Sequence, residues 1–274
     1  MITITGSKGY IAVNLKNFFV SKGMEAKCVD VRGEIPDDIF ADTDTVIHTA
    51  GIVHNKKAKK ELYYKVNVAM TKKLAETAKN NGVKHFVFFS SMSVFGMEEG
   101  EINENTALVP LNDYGKSKLE AEKILLAMQS DDFKITILRP PIVYGKNCPG
   151  NYALLSKLVK LSPVFPLVDN RHSMIYIENL CACVYKIVSE NITGIIHPQN
   201  SDYVNTSNMC ALIAEYNGKR LFLMRFLGEI VSHIKSSYAK KAFGSLYYAK
   251  NIAFSNDIFD FETSIRLTEK NNEN

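Results

Sequence analysis

The sequence predicts an α/β chain: a Rossmann-type doubly wound parallel sheet with a small, mostly helical C-terminal substrate-binding part. Two observations predict it. Short apolar strands alternate with helices of about 12 to 20 residues, the pattern of βαβ units, and a glycine-containing turn joins the first strand to the first helix. The chain has 274 residues, 46% apolar and 23% charged, enough to build a full core and too apolar for a disordered chain.

Ile2-Thr3-Ile4-Thr5 alternates as a strand and breaks into Gly6-Ser7-Lys8-Gly9. From Tyr10 to Val20 apolar residues recur three and four apart, so a helix follows, ended by Gly23. Ala26–Val31 and Thr45–Ala50 read as strands, Lys60–Asn80 as a long helix and Val83–Ser90 as the next strand. A helix over Tyr114–Met128 and a strand over Lys134–Leu138 come before Pro140-Pro141. After Gly145 the pattern loosens into helices near 151–160 and 179–189, a strand at 194–197 and a mostly helical end. The expected division is 1–145 plus 176–200 for dinucleotide binding, and 146–175 plus 201–274 for substrate.

The formal charge of +4 is mild, and the cluster Lys56, Lys57, Lys59 and Lys60 reads as a solvated face, so no nucleic-acid partner is expected. No apolar run approaches the ~18–20 residues that span a bilayer. Met1 leads straight into a strand without a signal-like segment, so a cytoplasmic location and no membrane partner are expected. Five scattered cysteines fit reduced thiols, and Cys181 and Cys183, two apart on a helix, point to different faces. No metal site is expected.

Glycines at 6 and 9 let the backbone approach a pyrophosphate whose charge meets a helix N-terminus, and small Ala12 permits close helix–strand packing. Asp30 ends the second strand, 18 residues past Ala12, where a carboxylate accepts the ribose hydroxyls of NAD. Arg32 next to it would welcome NADP instead, so NAD is expected with NADP as the alternative. Tyr114 and Lys118 stand at i and i+4 on one helix face, the only such pair among 13 tyrosines. A cation there is expected to pull the phenol down from its usual pKa of about 10 toward the working range. Ser90-Ser91 lies at the carboxyl end of a buried strand, where such sheets bind ligands.

With these residues in view, the chain resembles an extended short-chain dehydrogenase/reductase of the nucleotide-sugar epimerase/dehydratase type. The matching pieces are Thr5–Ala12, Val46–Ala50, Val66-Asn67-Val68, Phe88–Gly96, the Tyr114/Lys118 pair and Leu138–Gly145. They cover residues 1–200, and the last 70 match only loosely. The resemblance implies that Ser91 orients the sugar oxygen, Tyr114 transfers the proton, and Lys118 also holds the nicotinamide ribose. It assigns Gly6, Ser7, Gly9, Tyr10, Ile11, Asp30, Val31, Thr49, Ala50 and Pro140 to the cofactor. Asp30 to Thr45 is too short for the extra strand most members carry, so the sheet is expected to be trimmed there.

Members that dehydrate the sugar carry an Asp-Glu pair after the serine, to supply an acid and a base. Here those positions are Met92 and Ser93, and Met92 also replaces the cysteine common in enzymes that epimerise C3 or C5. The resemblance therefore implies reduction of the C4 keto group of a UDP-4-keto-6-deoxy-hexosamine type of sugar for bacterial surface polysaccharide. A UDP-hexose 4-epimerase with tightly bound NAD is the alternative, and a non-catalytic dinucleotide sensor the second. Asn151 would cap the helix facing the UDP diphosphate, Arg171 and His172 would contact that diphosphate, and His54 would touch the sugar or be a plain loop histidine. A homodimer is expected, with Leu119 and Leu126 in its seam or in the core.

Overall fold

The computed structural model describes residues 1–53, 59–234 and 236–270. Its strands are β1 (Ile2–Thr5), β2 (Ala26–Val29), β3 (Thr45–His48), β4 (His85–Phe89), β5 (Gly100–Ile102), β6 (Lys134–Leu138), β7 (Ile142–Tyr144), β8 (Val164–Pro166), β9 (Met174–Tyr176), β10 (Gly194–Pro198), β11 (Phe222–Met224), β12 (Leu246–Tyr248) and β13 (Ala253–Phe254). Its α-helices are α1 (Tyr10–Ser21), α2 (Lys60–Tyr63), α3 (Thr71–Asn80), α4 (Asp113–Met128), α5 (Asn151–Leu161), α6 (Ile177–Ser189), α7 (Thr206–Tyr216), α8 (Arg225–Ser232), α9 (Ser237–Phe243) and α10 (Phe261–Glu269).

The chain divides into two compact units. The first holds Met1–Gly96, Ala107–Pro140 and Cys181–His197, and the second holds Met97–Thr106, Pro141–Leu180 and Pro198–Asn274. In the first, strands β10-β6-β4-β3-β1-β2 lie side by side and pair in parallel, the Rossmann-type arrangement expected. Strands β1, β3 and β4 are buried throughout, as sheets covered on both faces must be. Val46, Phe86, Phe88, Ile135 and Ile137 pack with Leu74, Ala78 and Leu125 into one core cluster.

The sheet ends at half-buried β2, and no further strand lies between β2 and β3, as the short segment predicts. Ile35 and Phe40 from that segment join the core instead. The predicted strand boundaries were generous: β2 stops at Val29 and β3 at His48, which leaves Asp30, Thr49 and Ala50 in the loops that leave the strands.

The helix predicted over Lys60–Asn80 is not uniform. Tyr64–Met70 winds as a π-helix between α2 and α3. Within it Asn67 is fully buried and accepts a hydrogen bond from the Ile52 amide (2.8 Å), while its amide group donates to the Ile52 carbonyl (3.1 Å) and the Ser117 hydroxyl (3.0 Å). A widened turn of this kind commonly marks a functional position.

The second unit is built from α5, α7, α8, α9 and α10 with three small parallel pairs, β7 with β9, β8 with β11 and β5 with β12. Buried Tyr144 anchors it, sharing hydrogen bonds with Ser264 (2.6 Å) and Asn200 (3.0 Å) and stacking on Tyr152.

Candidate active site

Gly6 has φ +89°, a conformation L side chains rarely adopt, and a Cβ there would lie 3.1 Å from the Thr49 hydroxyl and 3.3 Å from Ala50. The Gly9 amide donates to the Gly6 carbonyl (2.7 Å), closing the turn, and Gly9 then caps α1 with no side chain on its first amides. Thr49 is fixed by donating to the Thr5 carbonyl (2.7 Å). Ser7, Tyr10 and Ile11 are half-buried around this turn, and Val31 is buried beyond it. The arrangement fits a dinucleotide: a close backbone approach, open amides at a helix start, and Asp30 past the neighbouring strand. Asp30 is held by Arg32, whose Nε donates to both carboxylate oxygens (2.9 and 3.1 Å), and that guanidinium keeps the exposed carboxyl far below the usual range.

The catalytic candidates converge in the same unit. Ser91 caps the short 3₁₀ turn Met92–Phe95, where its Oγ accepts from the Ser93 amide (3.1 Å) and hydrogen-bonds the Tyr114 phenol. Tyr114 and Lys118 are both buried on α4, which Asn112 caps by accepting from the Gly115 amide (2.8 Å). A Cβ on Gly115 would lie 2.6 Å from the Ser93 carbonyl oxygen, so the helix lies flush on the serine turn. The Met92 amide donates to the Pro140 carbonyl (3.1 Å), which brings buried Pro140 beside Ser91. Lys118 Nζ donates to the Phe89 carbonyl (2.7 Å) and sits 4.6 Å from the Phe88 ring centre. A Cβ on Gly51 would come within 3.3 Å of that Nζ.

The electrostatics differ from the expectation at Tyr114. Burial pushes its phenol up to about 12, against the opposing Ser91 hydrogen bond, rather than down toward neutrality. Burial also lowers Lys118 to about 7, offset in part by Glu122 one turn on. The cation predicted to ease the phenol's ionisation is itself desolvated and bound to a backbone carbonyl.

Three participants escaped the sequence reading. Glu122 continues the i, i+4 ladder Tyr114–Lys118–Glu122, a spacing that was visible. Arg139 grips it with Nε (3.1 Å) and a terminal nitrogen (2.6 Å), Ser90 donates to it as well, and the Arg139 guanidinium lies over the Phe95 ring. Asn67 lies in the Val66-Asn67-Val68 motif, where the sequence alone assigns it no chemistry. Its tie to Ser117, whose hydroxyl donates to the Tyr114 carbonyl (2.8 Å), braces α4.

The second unit carries the other candidates. The expected cap at Asn151 is a correction: Gly150, at φ +97°, is the cap, and exposed Asn151 is the first helical residue. His172 is buried, its backbone is paired with Val204, and desolvation lowers its ring to about 4, so it is neutral near pH 7 and brings no positive charge to a diphosphate. Exposed Arg171 accepts through its carbonyl from the Leu246 amide. His54, Lys56 and Lys57 lie outside the described residues. Cys181 and Cys183 are both buried.

The chain is 34% identical over 236 residues to a UDP-glucose 4-epimerase of Vibrio cholerae, covering 74% of this chain and 69% of that protein. It is 32% identical over 187 residues to N-acetyl-alpha-D-glucosaminyl-diphospho-ditrans,octacis-undecaprenol 4-epimerase of Escherichia coli O157:H7, covering 65% of this chain but only 55% of that protein. The solved UDP-glucuronic acid 4-epimerase from Bacillus cereus, in complex with NAD, shares the fold at TM-score 0.77 and 17% identity, over 98% of this chain and 97% of that one. The profile of the NAD dependent epimerase/dehydratase family matches residues 2–191, and the chain belongs to that family.

Proposed function

We propose that the chain exchanges hydride and proton at C4 of a diphosphate-linked hexose, acting as a 4-epimerase on a UDP-sugar with NAD. The observation that carries this reading is the hydrogen bond of half-buried Ser91 to the buried Tyr114 phenol, with buried Lys118 one turn away. The 4-epimerase names of the two curated relatives favour it over the reductase expected from the sequence.

In this reading Ser91 donates to the C4 oxygen and holds it against the Tyr114 hydroxyl. The bound dinucleotide supplies the hydride acceptor and, on return, the donor. Tyr114 carries the proton that leaves and rejoins the C4 oxygen. Lys118 sets the field at that phenol and holds the nicotinamide ribose. Gly6, Gly9 and the start of α1 take the pyrophosphate, and Asp30 takes the adenosine ribose. A homodimer formed through α4, where Leu126 is exposed and Leu119 half-buried, belongs to the same proposal.

One observation favours the ketoreductase instead. Exposed Arg32 stands on Asp30, where a guanidinium would accept the 2′-phosphate of NADP, as suits an enzyme that exchanges its cofactor. The test is denaturing release of nucleotide from the purified protein, followed by incubation with UDP-glucose and no added reductant. Stoichiometric NAD and conversion to UDP-galactose are expected. An empty protein that oxidises NADPH only with a UDP-4-keto-6-deoxy sugar would overturn the epimerase in favour of the reductase.

A further inference from the structure

The second unit leaves an unusual set of large apolar side chains in solvent. On α5, Leu154, Leu158 and Leu161 are 67%, 51% and 75% exposed, spaced i, i+4 and i+7 along one stripe. Phe222 on β11 is 58% exposed, and Phe226 and Ile230 on α8 are 56% and 55%. These elements adjoin. The Phe222 amide donates to the Pro163 carbonyl (2.9 Å), two residues past the end of α5, and β11 pairs with β8 before running into α8. Gly228 is the face by which α8 packs, since a Cβ there would come within 2.0 Å of the Leu167 carbonyl oxygen. Phe226 and Ile230, two residues to either side, therefore point away from the body of the unit. Scattered exposed apolar residues need no explanation, whereas six on neighbouring elements of one unit point to an interaction surface.

The charge around it selects the partner. Lys157 on α5, Arg225 on α8, and Lys219 and Arg220 just before β11 are exposed, and Glu229 on α8 is the acidic residue of these elements. A second copy meeting this face about a two-fold axis would bring one cation-bearing face against another. An anionic bilayer surface offers what the face lacks: apolar depth for leucine, phenylalanine and isoleucine, and negative headgroups for the flanking cations. Among the described residues no helix is long and apolar enough to cross a membrane, so the contact is interfacial. We infer that the α5–β11–α8 face docks the protein on an anionic lipid surface. It runs against the expectation of no membrane partner.

The test is sedimentation of the full chain with vesicles of phosphatidylcholine alone or with about 30% phosphatidylglycerol, at low and high salt. Binding to the anionic vesicles about 10-fold tighter than to the neutral ones, and weakened about 10-fold by high salt, is expected. Phe226→Ser/Ile230→Ser, and separately Leu154→Ser/Leu158→Ser, should each weaken it about 10-fold with melting temperature unchanged. Wild-type protein that stays in the supernatant with anionic vesicles at low salt overturns the inference. So do folded variants that pellet as well as wild type, or variants that only dissociate a dimer in sedimentation velocity. No sugar or cofactor enters the assay, so its outcome is independent of the C4 chemistry.

Discussion

Gly115 and Ser93 touch across the site: a side chain on the glycine would begin 2.6 Å from the serine's carbonyl oxygen. That contact seats Tyr114 against Ser91, because Tyr114 is next to Gly115 and Ser91 is two residues before Ser93. Gly115→Ala must push α4 off the 3₁₀ turn. A loss of about 1–3 kcal/mol in stability and about 100-fold in turnover is expected, from overpacking and from a shift of about 1 Å in the phenol. Urea unfolding and steady-state kinetics measure both, and a variant with native turnover would show that the close packing has no part in placing Tyr114.

Tyr114→Phe removes the proposed proton carrier while keeping the ring in its buried site. Turnover should fall about 10²–10⁴-fold with NAD affinity nearly unchanged. Calorimetric titration of NAD alongside the activity assay separates the two effects. Turnover within a few-fold of wild type would refute the assigned role.

Glu122 and Arg139 form an ion pair whose side chains are 2% and 5% exposed. Breaking it strands a buried charge, so Glu122→Gln should cost about 3–5 kcal/mol, and Arg139→Met in the same chain should recover part of that loss. Denaturant midpoints of the single and double variants decide the matter; a single-variant loss under about 1 kcal/mol would mean the pair is solvated.

Three buried histidines give the protein an acid-sensitive fold. Desolvation lowers His48 to about 3 and both His85 and His172 to about 4. Each folded-state pKa lies below the unfolded value near 6.5, so the unfolded chain binds more protons below that pH. The stability is complete above about pH 6.5 and is lost as pH falls toward 4, by about 1.4 kcal/mol per pH unit for each fully titrating group. Between pH 6.5 and 5 ordinary carboxylates contribute little, so a urea midpoint that stays flat across that window would reject burial of the neutral rings.

In the first unit the order of strands and helices was legible because each element announces itself locally: a β-branched run, a three-to-four spacing, a glycine where the chain must turn; β5, β7 to β9 and β11 to β13, of two or three residues each, are too short to carry such a signal. The glycine turn, Ser91, Tyr114 and Lys118 were legible for the same reason, as short motifs read within one strand or helix. The tertiary structure decided what lies between residues far apart in sequence. Asn67 ties Ile52 to Ser117 from inside a π-helical turn that no periodicity signals. Glu122 meets Arg139 and Ser90 only because β4, β6 and α4 come together. The phenol's ionisation went against the sequence reading because burial, a property of the assembled chain, outweighs a cation one helical turn away. The exposed apolar face of α5 and α8 was likewise hidden, since leucine and phenylalanine at helical spacing look the same in a sequence whether they face the core or the solvent.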